Sequence, residues 1–111
     1  MGEERTFKFA KDVRIFVSLF KKNISNIEDV TQLIRASGSV GANYIEANES
    51  LSKKDFLMRI KISRKEAKES VYWLRLLNET NTFENVEEAQ RLIQEATELK
   101  KILSSIIEKS K

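Results

Sequence analysis

Residues 37–77 read SGSVGANYIEANESLSKKDFLMRIKISRKEAKESVYWLRLL, and within them two helical patterns face each other across the short break Asn48-Glu49-Ser50-Leu51-Ser52. Upstream of the break, Val30, Leu33, Ile34, Ser37, Gly41, Tyr44, Ile45 and Asn48 recur at three-and-four spacing, the period of one helix face. Gly38 and Gly41 cost such a helix about 1 kcal/mol each relative to Ala, so a loop is the ordinary reading of Ala36-Ser37-Gly38-Ser39-Val40-Gly41-Ala42. The apolar spacing nevertheless stays in phase through it and predicts one continuous helix. Small residues there let a neighbouring helix approach closer than a Leu would allow. Downstream, Ser52 with Asp55 is a capping pattern opening a long helix whose core face is Phe56, Ile60, Ser63, Ala67, Ser70, Leu74 and Leu77, a heptad spacing with small residues in its middle. The small centre of helix two is expected to pack on the small centre of helix three.

Working outward, Phe9, Val13, Phe16, Val17 and Phe20 mark one face of a first helix over about 6–22. Asn23-Ile24-Ser25-Asn26 reads as a loop, and Ser25 with Glu28 as a capping box opening helix two over about 26–49. Helix three spans about 53–79. After Asn78-Glu79-Thr80-Asn81-Thr82, Asn85 with Glu88 forms a third capping pattern. Helix four then runs over about 86–108 on Val86, Ala89, Ile93, Ala96, Leu99, Leu103 and Ile106. Four amphipathic helices with short connections must be antiparallel neighbours, which predicts an all-α, up-down-up-down four-helix bundle as a single domain over 1–111.

Composition agrees with that architecture. The 111 residues include no Pro and three Gly, as long uninterrupted helices require. With no Cys and no His, the chain lacks disulfides, thiol nucleophiles, imidazole bases and the two commonest transition-metal ligands. Ser hydrolysis lacks its base, and di-metal bundle chemistry lacks its Glu-x-x-His pairs. The first twenty residues carry charges through their apolar stretch and fit neither a signal peptide nor a membrane span. A cytoplasmic protein without membrane association, cofactor or metal is expected. The net charge of +3 hides a strong segregation: residues 5–22 and 53–75 carry +5 each, whereas 26–49 carry −3 and 79–98 carry −5.

The string Ser39-Val40-Gly41-Ala42-Asn43-Tyr44-Ile45-Glu46-Ala47, then Ser52-Lys53-Lys54-Asp55-Phe56, Lys65-Glu66-Ala67-Lys68-Glu69 and Tyr72-Trp73-Leu74-Arg75-Leu76-Leu77, resembles the four-helix-bundle family of 23S rRNA intervening-sequence proteins. That family is bacterial and is similar to the accessory variability proteins of diversity-generating retroelements, barrel-shaped pentamers whose basic surfaces contact nucleic acid and reverse transcriptase. The resemblance implies a homopentamer with no established enzymatic activity, with RNA or DNA and a nucleic-acid-processing protein as candidate partners.

Helix three carries the clearest functional pattern. At about 100° per residue, Lys54, Met58, Lys61, Lys65, Lys68, Tyr72 and Arg75 line one stripe, while Asp55, Glu66 and Glu69 lie off it. Cations so arranged can meet successive phosphates, with Tyr72 placed to stack on an unpaired base, and a ring of such stripes would sum to a strong field. The competing reading is a solvated lysine face that only keeps an assembly soluble. Ile62, Trp73 and Leu76 lie well off the core direction, on the flank that holds Arg59 and Glu66. Ile15 and Leu19 are likewise off the main face of helix one. Exposed apolar clusters of this kind mark interfaces, so these residues are the candidate subunit contacts. Asn43 and Glu46 are expected to act as structural polar groups that fix register.

One enzyme class needs separate treatment. Glu46-x-x-Glu49 and Glu66-x-x-Glu69 are similar to the carboxylate pairs of all-α nucleoside triphosphate pyrophosphohydrolases, which hold Mg²⁺. With the turn near Leu51 and a rise of about 1.5 Å per residue, the two pairs should lie more than about 10 Å apart along the hairpin. No catalytic residue is therefore assigned. The sequence points to a non-enzymatic oligomeric binding module that contacts nucleic acid, with a protein-interaction scaffold as the alternative.

Overall fold

The computed structural model describes residues 1–82 and 86–111. Four helices follow one another, α1 (Glu3–Val17), α2 (Ile24–Asn48), α3 (Lys53–Thr80) and α4 (Val86–Lys109). Each packs on the next, α4 closes against α1, and α1/α3 and α2/α4 are the diagonals. Cross-helix bonds fix the directions. Asn48 and Glu3, then Arg14 and Ile34, pair α1 with α2 in opposite senses; Arg59 with Asn43 and Ser63 with Val40 do the same for α2 and α3. The result is the antiparallel bundle, 45 × 22 × 20 Å.

The core of α3 is the one its heptad spacing predicts: Ile60, Ser63, Ala67, Ser70, Leu74 and Leu77 are buried, with Phe56 packed at the margin. Ser52 caps this helix, accepting from the Asp55 amide at 3.1 Å. The helix α2 runs unbroken through Gly38 and Gly41, with no residue at positive φ. Its glycines, however, face α1. A Cβ at Gly41 would stand 3.0 Å from Thr6 Oγ1, and one at Gly38 would stand 3.1 Å from the Arg14 guanidinium. The small residues of α3 do meet α2, where Ser63 Oγ donates to the Val40 carbonyl at 2.7 Å. Two close approaches thus share the middle of α2, one on each side.

Other boundaries and faces differ from the sequence expectation for identifiable reasons. The first helix starts at Glu3, with Glu3 and Glu4 in its first turn, where acidic side chains offset the helix dipole. It stops at Val17 rather than near Lys22. Leu19 and Phe20 amides bond back to Phe16 and Val17 carbonyls three residues earlier, a tightened turn that sets Phe20 edge-on to Phe16 at 5.0 Å. The cap of α2 is Asn23, whose side chain accepts from the Asn26 amide at 2.8 Å, and Ser25 lies inside the first turn. Asn ranks with Ser as an N-cap, and capping from Asn23 lets Asn26 be buried. The Asn85 cap lies outside the described residues. In α4 the buried stripe is Ala89, Leu92, Ala96, Leu99, Leu103 and Ile107; Ile93 and Ile106 are at its margin and Val86 is half exposed. Ile45 and Asn48, assigned to the core side of helix two, are exposed, because only the short α1 covers that side.

Charge segregation becomes contact between α1 and α4. Arg5 forms a bidentate pair with Glu95 at 2.9 Å. Arg91 bridges Glu88 and Asp12, and Lys8 reaches Asp12 at 2.7 Å. The basic first helix lies on the acidic fourth.

Candidate nucleic-acid interface

The α3 stripe is exposed along its whole length: Lys54, Met58, Lys61, Lys65, Lys68, Tyr72 and Arg75 all face solvent. From Lys54 to Arg75 it spans about 31 Å of helix axis. Arg75 lies 3.5 Å from Glu79, an exposed pair of the kind that contributes little. Among the described residues none of the four lysines is held in an ion pair. They are kept in position by the core on the opposite face of the same helix rather than by partners of their own, so their charge is available to an anion.

Near its C-terminal half the stripe borders a cleft of about 550 Å³ between α3 and α4, walled by Lys65, Lys68, Val71, Tyr72 and Arg75, with the carboxylate Glu69 among them, on one side and by Thr97 and Lys100 on the other. The contribution of α4 was not legible in the α3 pattern. Its signal was the +3 of residues 100–111, which periodicity could not assign to a face.

The candidate contact residues fall on two different surfaces, one on each side of α2. Ile15 lines an apolar groove of about 820 Å³ between α1 and α2 with Phe7, Ala10, Gly41, Ala42 and Ile45. Phe7 is 65% exposed and Ile15 59% exposed, and Leu19 is exposed one turn further on. Phe7 and Ile45 were missed by the sequence reading, since Phe7 sits two residues from the core Phe9 and Ile45 is in phase with the core of α2. The groove exists because Gly38, Gly41, Ala42 and Ala10 supply a floor without bulk.

On the other side, Ile62, Trp73 and Leu76 are half-buried along the α2/α3 flank, Trp73 packing on the core. Arg59 donates to Asn43 Oδ1 at 3.1 Å, and Asn43 donates to the Ser39 carbonyl. Asn43 thus ties α2 to α3, and Glu46 is exposed. A small recess beside them is walled by Gln32, Arg35, Glu66, Glu69 and Trp73. Burial raises the pKa of the Glu66 carboxyl, and the adjacent Glu69 raises it further; Lys65 and the Ser39 hydroxyl pull the other way. Glu66 therefore neighbours Ser39, seven residues and about 10 Å along α2 from Glu46, which keeps the two carboxylate pairs apart. Among the described residues, no group of three or more Asp and Glu side chains is placed to hold a metal ion, and no helix is long and apolar enough to cross a membrane.

A short antiparallel bundle with one basic helix face and apolar flanks defines a helical module whose features are surfaces. The chain belongs to the 23S rRNA-intervening sequence protein family, whose model matches residues 3–105. Among solved structures it is similar to a protein of unknown function of the S23 ribosomal protein family from Bacteroides thetaiotaomicron VPI-5482. The two share 30% identity with a TM-score of 0.82, over 95% of this chain and 96% of that one. No curated protein matches the chain.

Proposed function

We propose that the protein is a non-enzymatic, homo-oligomeric module of the cytoplasm that binds nucleic acid through the basic stripe of α3. The observation that carries the reading is the stripe itself: Lys54, Lys61, Lys65, Lys68 and Arg75 are exposed on one face, and charge so presented attracts a polyanion by counterion release. We further propose that the likeness read from the α2–α3 hairpin sequence extends to the accessory variability proteins of diversity-generating retroelements. On that likeness the proposed partners include a nucleic-acid-processing protein such as a polymerase, and the proposed subunit number is five.

Assembly into a ring is supported by the two surfaces flanking α2. A closed ring of more than two subunits uses a heterologous contact, in which one patch of each subunit meets a different patch of the next. The apolar α1/α2 groove and the Ile62-Trp73-Leu76 flank are two such patches, and α1 and α3 are not neighbours. Five stripes on one ring would multiply the field of one.

The test is light scattering with in-line RNA titration, on the native chain and on a variant with Lys61, Lys65 and Lys68 changed to Glu. A five-fold mass is expected, with binding whose logarithm falls with log salt at a slope of about −3 to −4 per stripe, at 0.7 per neutralised phosphate. The variant should keep the mass and lose the binding. A ring that binds nothing at low ionic strength would transfer the role to a protein-interaction scaffold, and a monomer would remove the assembly.

A further inference from the structure

The cleft between α3 and α4 differs from the rest of the stripe in chemistry. Along Lys54 and Lys61 the stripe is a convex row of cations. From Lys65 onward it becomes concave, with an aromatic ring and Val71 in the wall and a cation from a second helix, Lys100, on the opposite rim. Its volume of about 550 Å³ lies within the range of about 300–1,000 Å³ typical of small-molecule sites, large enough for one base. Four cations, Lys65, Lys68, Arg75 and Lys100, line it with one carboxylate, Glu69, and Arg75 also lies beside the exposed Glu79.

Tyr72 is set up as a platform. Its ring meets Trp73 in a T-shaped contact, with centroids 5.0 Å apart and planes at 81°. Such a contact occupies at most one face of a ring. Trp73 is half-buried against the core on the α2/α3 flank, so it steadies Tyr72 from the side away from α4. Tyr72 is nevertheless 58% exposed, an arrangement that costs apolar exposure without serving the core.

We infer that the nucleic acid held by the stripe is single-stranded, and that one unpaired base enters the α3/α4 cleft and stacks on Tyr72, with its flanking phosphates on Lys65, Lys68, Arg75 and Lys100. The inference rests on the nucleic-acid reading above and adds the strand type, the base site and the α4 residue. In a duplex both faces of every internal base are already covered by its neighbours, so stacking on Tyr72 requires extrusion of the base. Extrusion costs about as much as a base–aromatic stack returns. A duplex therefore gains only the phosphate contacts, whereas a single strand gains the stack as well. The stack is blind to sugar, so RNA and DNA strands are both accepted.

The experiment is fluorescence polarisation on the full chain with labelled strands of roughly 15 nucleotides, single-stranded or annealed, as RNA and as DNA, across a salt series. The native protein should bind single strands roughly 5- to 100-fold more tightly than duplex, the span that one stack accounts for. Tyr72→Ala should erase that preference while leaving duplex affinity and the salt slope unchanged, and Tyr72→Trp should retain it. Lys100→Gln should weaken single-strand binding and reduce the salt slope by about 0.7. A strand carrying abasic positions should lose the same factor on the native protein, which tests the stack without any variant. Equal affinity for both forms, or a Tyr72→Ala loss shared equally by duplex and single strand, would overturn the base site and leave the phosphate-binding stripe standing. Absence of binding to either form at low salt would overturn the nucleic-acid reading and the base site together.

Discussion

A methyl group added at Gly41 would lie 3.0 Å from the hydroxyl and 3.2 Å from the Cβ of Thr6, so the approach of α1 to α2 is set by the absence of a side chain at one position. Thr6 is buried and its hydroxyl is committed to the Glu3 carbonyl at 2.8 Å, so it cannot swing aside. Gly38 faces the far end of the long Arg14 side chain, which donates to the Ala10 and Ile34 carbonyls but can yield a few tenths of an ångström by small rotations along its stem. Both substitutions to Ala gain up to about 1 kcal/mol of helix propensity, but at Gly41 overpacking of about 1–3 kcal/mol opposes it. Gly38→Ala should therefore raise stability by about 0.5–1 kcal/mol, and Gly41→Ala should lower it by about 1 kcal/mol. The Gly41→Ala loss should shrink in a Thr6→Ala background. Urea melts of the four variants decide it; equal gains at both glycines would show that the α1/α2 approach is not tight.

That pair also shows where the sequence stops being legible. The in-phase apolar spacing through residues 36–42 is enough to predict a continuous α2, and the heptad of α3 names its buried face, because in each case one face of one helix carries the information. Which neighbour a small residue serves is a relation between helices. Gly41 satisfies the requirement for close approach equally well toward α1 or α3, and only the three-dimensional arrangement assigns it to Thr6. The stripe of α3 was legible for the same reason as its core, being its complement on one helix. The cleft was not, since Lys100 reaches it from another helix. Two polar residues, Asn26 and Asn81, looked like ordinary loop residues and turn out to hold two connections together.

Asn26 donates to Asn81 Oδ1 at 2.8 Å and Asn81 donates to Asn26 Oδ1 at 2.9 Å. Asn26 also donates to the Lys21 carbonyl and Asn81 to the Leu77 carbonyl, so the α1–α2 connection is fastened to the end of α3. Asn26 is buried, and removing Asn81 leaves the Asn26 side-chain amide oxygen without a donor at a cost of about 1–3 kcal/mol. Asn81→Ala should lose that much stability. Asn26→Asp should also be destabilising, because a carboxylate cannot donate to the Lys21 carbonyl. A double-mutant cycle of Asn26→Ala with Asn81→Ala should return a coupling of at least about 0.5 kcal/mol, and strict additivity would refute the clamp.

Acid should loosen the α1/α4 contact first. The Lys8 ammonium, then Arg91, holds the Asp12 carboxyl below its ordinary value, and Arg91 does the same for Glu88. A carboxylate with a lowered native pKa contributes stability that is present above its unfolded value, about 4, and is lost as the pH falls through the native one. Arg91→Gln removes the largest influence on Glu88 and, after Lys8, the second of those that lower the pKa of Asp12. It should cost on the order of 0.5–1 kcal/mol at neutral pH, since the guanidinium is half exposed, and it should move the acid limb of the stability curve to higher pH. Denaturant melts across pH 3–7 would read both effects, and the neutral-pH difference should shrink in high salt. An acid limb that Arg91→Gln leaves in place would mean these ion pairs carry no stability.

Glu66 behaves in the opposite sense. Burial, reinforced by Glu69, raises its pKa above the ordinary carboxylate range, so the native state binds this proton more tightly than the unfolded chain does. The charged form is penalised at neutral pH, and the penalty is relieved as the pH falls through the raised native value toward about 4.3. Glu66→Gln keeps an oxygen to accept from Ser39 and removes the charge beside Glu69. The variant should melt above the native protein at neutral pH, and this advantage should fade as the pH falls toward the unfolded value and the native carboxyl takes up its proton. Glu69→Gln should recover part of the same gain. If Glu66→Gln instead destabilised the chain at neutral pH, the charge of Glu66 would have to be answered by a cation, and the α2/α3 recess would be a site where Arg35 or a residue of a second subunit pairs with it. The same variant tests the remote enzyme reading, because Mg²⁺-dependent hydrolysis of a nucleoside triphosphate that Glu66→Gln abolished would assign Glu66 a catalytic role rather than a place on a contact surface.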